Sequence, residues 1–78
     1  MEPVEVTARF TQGGEIIPVQ FTWQSRTYRV ESTGRRWEDQ AGLHILVMAA
    51  GEKVFDLVYS AGDGRWHLRQ IGPGRAVA

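Results

Sequence analysis

With 78 residues, nine basic against nine acidic side chains and no cysteine, the chain is sized for one small domain with neither disulfides nor thiolate metal ligands to staple it. The charge balance excludes a whole-molecule field that would draw it to nucleic acid or an anionic membrane, and the longest apolar run, residues 45–50, is far too short for a membrane-spanning helix. Glu2 and Glu5 stand where a signal peptide would carry basic residues, so the expected compartment is the cytoplasm.

In chain order, the first signal is the pair Gly13-Gly14 between two alternating segments. Taken as a two-residue hairpin loop, it sets Phe10 opposite Ile17, Ala8 opposite Val19, Val6 opposite Phe21 and Val4 opposite Trp23. Arg9, Thr7, Glu5 and their partners then fall on a polar face, and a one-residue slip would turn the apolar set to water. Pro18 in the middle of the second strand predicts a bulge or sharp bend, because it cannot donate to the ladder. A second hairpin turns at Gln24-Ser25 and pairs Trp23 with Arg26, Phe21 with Tyr28 and Val19 with Val30. A guanidinium beside an indole at Trp23/Arg26 reads first as a stabilising contact within the core or its rim.

Periodicity lapses over residues 31–42, where turn residues flank a charged centre. This segment reads as the connection between two halves, with a single helical turn at 36–40 held by Trp37. Three more strands follow at 43–50, 53–60 and 65–71. A two-residue turn at Gly51-Glu52 pairs Met48 with Phe55, Leu46 with Leu57 and His44 with Tyr59. The 61–64 loop pairs Tyr59 with Trp66, Leu57 with Leu68 and Asp56 with Arg69. The expected fold is all-β: one domain over residues 1–78, with 72–78 a flexible tail. Its six antiparallel strands form two three-stranded meanders, packed as a small sandwich or half-open barrel with Trp37 capping an open end.

This pairing leaves Ile45, Val47, Val54 and Val58 on the reverse of the second sheet, interrupted by Asp56, His67 and Arg69. A solvated sheet face should be mainly polar, so either the chain's own tail (residues 71–78) or the central segment covers these residues, or they form the interface for a protein partner or a second copy of the chain. A second reading comes from the bases, eight of which are arginine. Arginine forks onto phosphates and stacks on rings, and Arg35-Arg36-Trp37 on a connecting loop, with Arg29 on a strand, would suit single-stranded nucleic acid. The competing explanation is arginine use imposed by a GC-rich genome together with ordinary cross-strand ion pairing.

Reaction chemistry is sparsely represented. His44 and His67 fall on opposite faces in the expected register and so share neither a metal nor a proton relay. Asp56 opposite Arg69 reads as a structural ion pair, and Asp63 as a turn residue between glycines. The glycines punctuate hairpins and lead into no helix that would cradle a phosphate. The sequence therefore points to a non-enzymatic domain with no cofactor, no metal and no small-molecule substrate.

The pattern Trp23-x-x-Arg26-x-Tyr28-x-Val30, then Arg36-Trp37, then a strand pair ending on Trp66-x-Leu68, resembles a family of small uncharacterised bacterial domains of unknown function. Some members of that family lie beside, or are joined to, relatives of translesion-type DNA polymerases. The resemblance implies a bacterial protein and a link to DNA repair for the nucleic-acid reading. It brings no catalytic residues.

Overall fold

The computed structural model describes residues 2–73, with residues 70, 72 and 73 described by their backbone alone. Six antiparallel strands follow one another around a closed barrel: β1 (Glu2–Phe10), β2 (Ile16–Trp23), β3 (Arg26–Asp39), β4 (Gly42–Ala49), β5 (Lys53–Ser60) and β6 (Arg65–Pro73). The expected all-β, six-stranded antiparallel fold is present, and its closed form is the small barrel. Strands β1 and β3 each serve two sheets. A three-stranded sheet joins residues 5–10 of β1 to β2 and to residues 26–29 of β3. A five-stranded sheet runs from residues 2–4 of β1 through β6, β5 and β4 to residues 30–39 of β3.

The turns explain where the expected registers hold and where they slip. The β2–β3 hairpin turns at Gln24 (φ 52°) and Ser25 (φ 65°), the doubly left-handed geometry that suits the twist of the flanking strands. Its pairs Trp23/Arg26, Phe21/Tyr28 and Gln20/Arg29 are those expected. The first hairpin agrees only at its far end, where Val6 meets Phe21 and Thr7 meets Gln20; a bulge then shifts the register so that Ala8 meets Pro18 and Phe10 meets Ile16. The cause lies at both ends. Pro18 breaks the ladder, and the loop is longer than Gly13-Gly14: Gly14 N–H donates to the Thr11 carbonyl at 2.9 Å and Gly14 adopts φ 87°, a turn closed by a left-handed glycine.

The supposed connection over 31–42 is strand. Bulges between Val30 and Ser32 and between Thr33 and Arg36 shift the side-chain parity twice, so alternation disappears while pairing with β4 continues to Asp39/Gly42. No helical turn forms at 36–40. The bends carry β3 from one sheet to the other.

The β4–β5 register also differs from expectation. Ala49 pairs with Lys53, Val47 with Phe55 and Ile45 with Leu57, so the loop is residues 50–52, with Gly51 (φ 83°) and Glu52 (φ 59°) left-handed. One residue of slip flips β4. Ile45, Val47 and Ala49 enter the core beside Phe21, Phe55, Leu57 and Leu68, and Leu46 and Met48 turn outward. In β5–β6 the expected pairs Tyr59/Trp66, Leu57/Leu68 and Asp56/Arg69 are present. Strand pairing extends through Gly72 and Pro73, two residues into the expected tail; residues 74–78 lie outside the described residues.

Aromatic rings fill the barrel beneath the 24–25 and 50–52 turns. Phe21 and Tyr28 stack at 5.2 Å between centroids, and Phe55 meets Phe21 at 5.1 Å, Tyr28 at 5.3 Å and Trp23 at 5.5 Å. Trp23 is therefore a partly buried core residue, as expected, and its indole N–H donates to Glu2 Oε1 at 3.2 Å. Edge-to-face and offset contacts of this kind add about 0.5–1.5 kcal/mol each beyond the area they bury.

Candidate functional site on the outer face of the five-stranded sheet

The outer face of the five-stranded sheet carries His44, Leu46 and Met48 from β4, Val54, Asp56 and Val58 from β5, and His67 and Arg69 from β6. His44 and His67 both neighbour Val58 across the strands, so the two histidines share a face and do not sit on opposite ones. Beside them, Trp37 of β3 pairs with His44. The indole and imidazole stack with centroids 4.7 Å apart and planes 12° from parallel. Trp37 therefore roofs a histidine on the outer surface and does not cap the barrel end.

Asp56 and His44 are buried although they face outward, at 0 % and 5 % exposure. His44 Nδ1 lies 3.1 Å from Asp56 Oδ1 and 2.9 Å from Oδ2, and its Nε2 lies 2.9 Å from Asp39 Oδ1. Ionised carboxylates only accept, so with both Asp side chains ionised both ring nitrogens donate and His44 takes its imidazolium form. Burial works against that charge, but the hydrogen bonds to Asp56 and Asp39 outweigh it and hold the His44 pKa above its ordinary value. Reciprocally, the bond from His44 and then the Ala41 N–H hold the Asp39 carboxyl below the usual carboxylate range.

The local sequence positions each member. Asp39 ends β3, and its Oδ1 accepts from Ala41 N–H at 2.9 Å across the tight turn, an Asx arrangement that aims the carboxylate back at β4. Gly42 makes that turn feasible: its φ is +137°, and a Cβ there would come 2.2 Å from the Tyr59 carbonyl oxygen. Asp56 also faces Arg69, whose Nη2 is 3.6 Å from Oδ2. Because that guanidinium is 62 % exposed, water screens it and His44 is the stronger partner. Among the described residues no buried side-chain polar atom lacks a partner. In the imidazolium form both His44 N–H groups are committed, Nδ1 to Asp56 and Nε2 to Asp39.

The four residues expected to form an apolar interface separate. Ile45 and Val47 are in the core at 0 % and 1 % exposure, a direct consequence of the β4 flip. Val58 faces outward but is buried at 1 %. Val54 alone keeps partial exposure on the outer face, where Leu46 and Met48 join it. These three line a hollow of about 180 Å³ with Ser32, Thr33 and Gly34 of the bulged β3.

The residues expected to contact nucleic acid also divide. Arg36 points across the barrel: its Nη1 donates to the Ile16 carbonyl at 2.7 Å and its Nη2 lies 3.8 Å from Glu15 Oε2, fastening β3 to β2 where their ladder has ended. Arg35 packs over Trp37, with Cζ 5.7 Å from the ring centroid, a cation–π contact. Arg29 is exposed on the three-stranded sheet, away from both. Trp37, with Arg35 over it, thus lies beside His44, whereas Arg36 ties β3 to β2. What sequence reading missed was Asp39 and the His44 cluster; the signal available was a carboxylate five residues before a histidine, across a tight turn.

No family model, no curated protein and no solved structure matches this chain, so the functional reading rests on its own geometry.

Proposed function

We propose that the chain is a non-enzymatic interaction module that docks a protein partner on the outer face of the five-stranded sheet. The observation that carries this reading is the contrast between its two outer faces. On the three-stranded sheet the outward residues are Glu5, Thr7, Arg9, Gln20, Thr22, Thr27 and Arg29, with Ile17 opposite Arg9 and Val19 36 % exposed at the bulge as the apolar members, a mainly polar, solvated face. On the five-stranded sheet the corresponding positions include Leu46, Met48 and Val54 around the Gly34 hollow, and Met48 is 38 % exposed. Polar and charged groups border this patch at Ser32, Thr33 and Arg69. An apolar centre with a polar margin is the anatomy of a protein contact, and its small extent suits a transient one.

A photoreactive phenylalanine analogue in place of Met48, introduced in cells, tests the reading against the same analogue in place of Thr7. Discrete protein adducts are expected at position 48, suppressed by Leu46→Lys, with their mass telling a second copy of the chain from another protein. Equal labelling at the two positions, or none at position 48, would remove the proposal.

A further inference from the structure

A second, larger hollow lies elsewhere, along β3 where it leaves the three-stranded sheet. Its volume is about 640 Å³ and its lining includes Arg26, Tyr28, Arg29, Glu31 and Lys53, well within the size range of small-molecule sites. Three cations against one carboxylate make it locally basic in a chain of zero net charge. Among the described residues, Arg26, Arg29 and Lys53 enter no ion pair. Arg36 and Arg69, by contrast, are already paired. The floor is an aromatic ring: Tyr28 is backed by Phe21 at 5.2 Å and approached by Lys53 Nζ, 5.9 Å from its centroid. The backbone adds a further feature. Residues 26–29 pair with β2 on one edge, whereas β4 joins β3 only from Val30 onward, so the second edge of 26–29 has no strand beside it.

We infer that this hollow binds a nucleotide unit, the base laid on Tyr28 and the phosphate held by Arg26 and Lys53, which share the face of Tyr28, with Arg29 on the opposite face of the strand adding positive charge along the open edge. Guanidinium forks match phosphate oxygens, a pre-packed ring offers a base a stacking surface, and the open edge of β3 contributes backbone polar groups. Lys53 moves from the ring to the phosphate when the base arrives. The same chemistry is offered by a free nucleotide and by one residue of a single strand. This site is separate from the protein-docking face and does not depend on it.

The test is fluorescence anisotropy of a labelled thymidine octanucleotide across a salt series, with AMP and an octaglutamate peptide as competitors. Binding at low salt is expected, with log K falling against log salt at a slope of about −2 for three cations on a single strand. Arg29→Glu and Lys53→Glu should each weaken it by about tenfold or more, while Arg9→Glu, the same charge change on the three-stranded sheet, should leave it within about twofold. Melting curves establish that all three variants fold. Competition by AMP identifies the single nucleotide as sufficient, and failure of AMP to compete identifies the strand as the source. No binding of either probe, an Arg9→Glu effect as large as that of Lys53→Glu, or equal competition by octaglutamate would overturn the assignment.

Discussion

Replacing His44 with leucine removes the strongest partner of a fully buried carboxylate. Asp56 is 0 % exposed, and the other cation facing it, Arg69, is 3.6 Å away and mostly in water. Breaking a buried pair by deleting one member costs about 3–5 kcal/mol, because the remaining charge stays buried without compensation. A domain of this size has about 4–12 kcal/mol of stability in total, at roughly 0.05–0.15 kcal/mol per residue. His44→Leu should therefore remove about a quarter or more of it, read as a large fall in the urea midpoint at constant m-value. The double variant His44→Leu/Asp56→Leu should recover most of the loss, since exchanging a whole buried pair for apolar side chains is commonly neutral or stabilising. If the single variant loses less than about 1 kcal/mol, or the double variant is no more stable than the single, the buried imidazolium–carboxylate pair is not the element that holds this face together.

The same pair makes stability depend on pH. A raised His44 pKa contributes stability that is complete below its ordinary 6.5 and is lost as pH rises through the folded-state value; the lowered Asp39 contributes above 3.8 and is lost as pH falls through its own. The melting temperature should thus decline on the alkaline side, and His44→Gln should flatten that limb; a wild-type profile level from about pH 6 to 9 would count against the charged ring. Gly42→Ala should cost more than about 3 kcal/mol in chemical denaturation, combining left-handed strain with a clash against the β5 backbone, whereas Gly14→Ala, with nothing within 4 Å, should cost only about 1 kcal/mol. Gln24→Asn with Ser25→Gly should raise the melting temperature, by about 1 kcal/mol of stability, because both positions are left-handed and the new residues tolerate that geometry; an unchanged or lower value would place the strain elsewhere.

Two hairpins were legible in the sequence because turn and pattern agreed. In β2–β3 a polar two-residue turn and alternating flanks leave one register, and in β5–β6 the glycine-bracketed loop aligns Asp56 with Arg69. Pro18 correctly marked a bulge, but not the displacement it imposes on Ile16 and Ile17. Residues 31–39 were illegible as strand for a physical reason: two bulges interrupt a period-2 pattern that the backbone itself continues, and the charged residues there read as a loop. Trp37 and Asp39 were consequently assigned to a connection when they are cross-strand neighbours of β4. The His44 cluster was hidden with them, since it joins the end of β3 to β5 through a register that sequence counting had placed one residue away.

That misplacement shows what the buried polar cluster does for the fold. Residues 45–50 are apolar throughout, so β4 offers a hydrophobic face in either of two registers: Ile45, Val47 and Ala49 inward, or Leu46 and Met48. Where one face is polar, slippage is penalised by the hydrophobic pattern itself; here that penalty is nearly absent. The polar groups restore it. In the slipped register His44 would turn inward toward Tyr59 while Asp56 remained outward, leaving a histidine in the core and a carboxylate buried without its main partner. The pair has one arrangement in which both are satisfied, and it also brings Nε2 to Asp39 at 2.9 Å. A buried charge is weak support for stability in general, but on a strand whose two faces are interchangeable it selects the register. That choice places Leu46 and Met48 on the surface, so the apolar patch proposed to receive a partner exists because the Asp39–His44–Asp56 cluster holds Ile45 and Val47 inside.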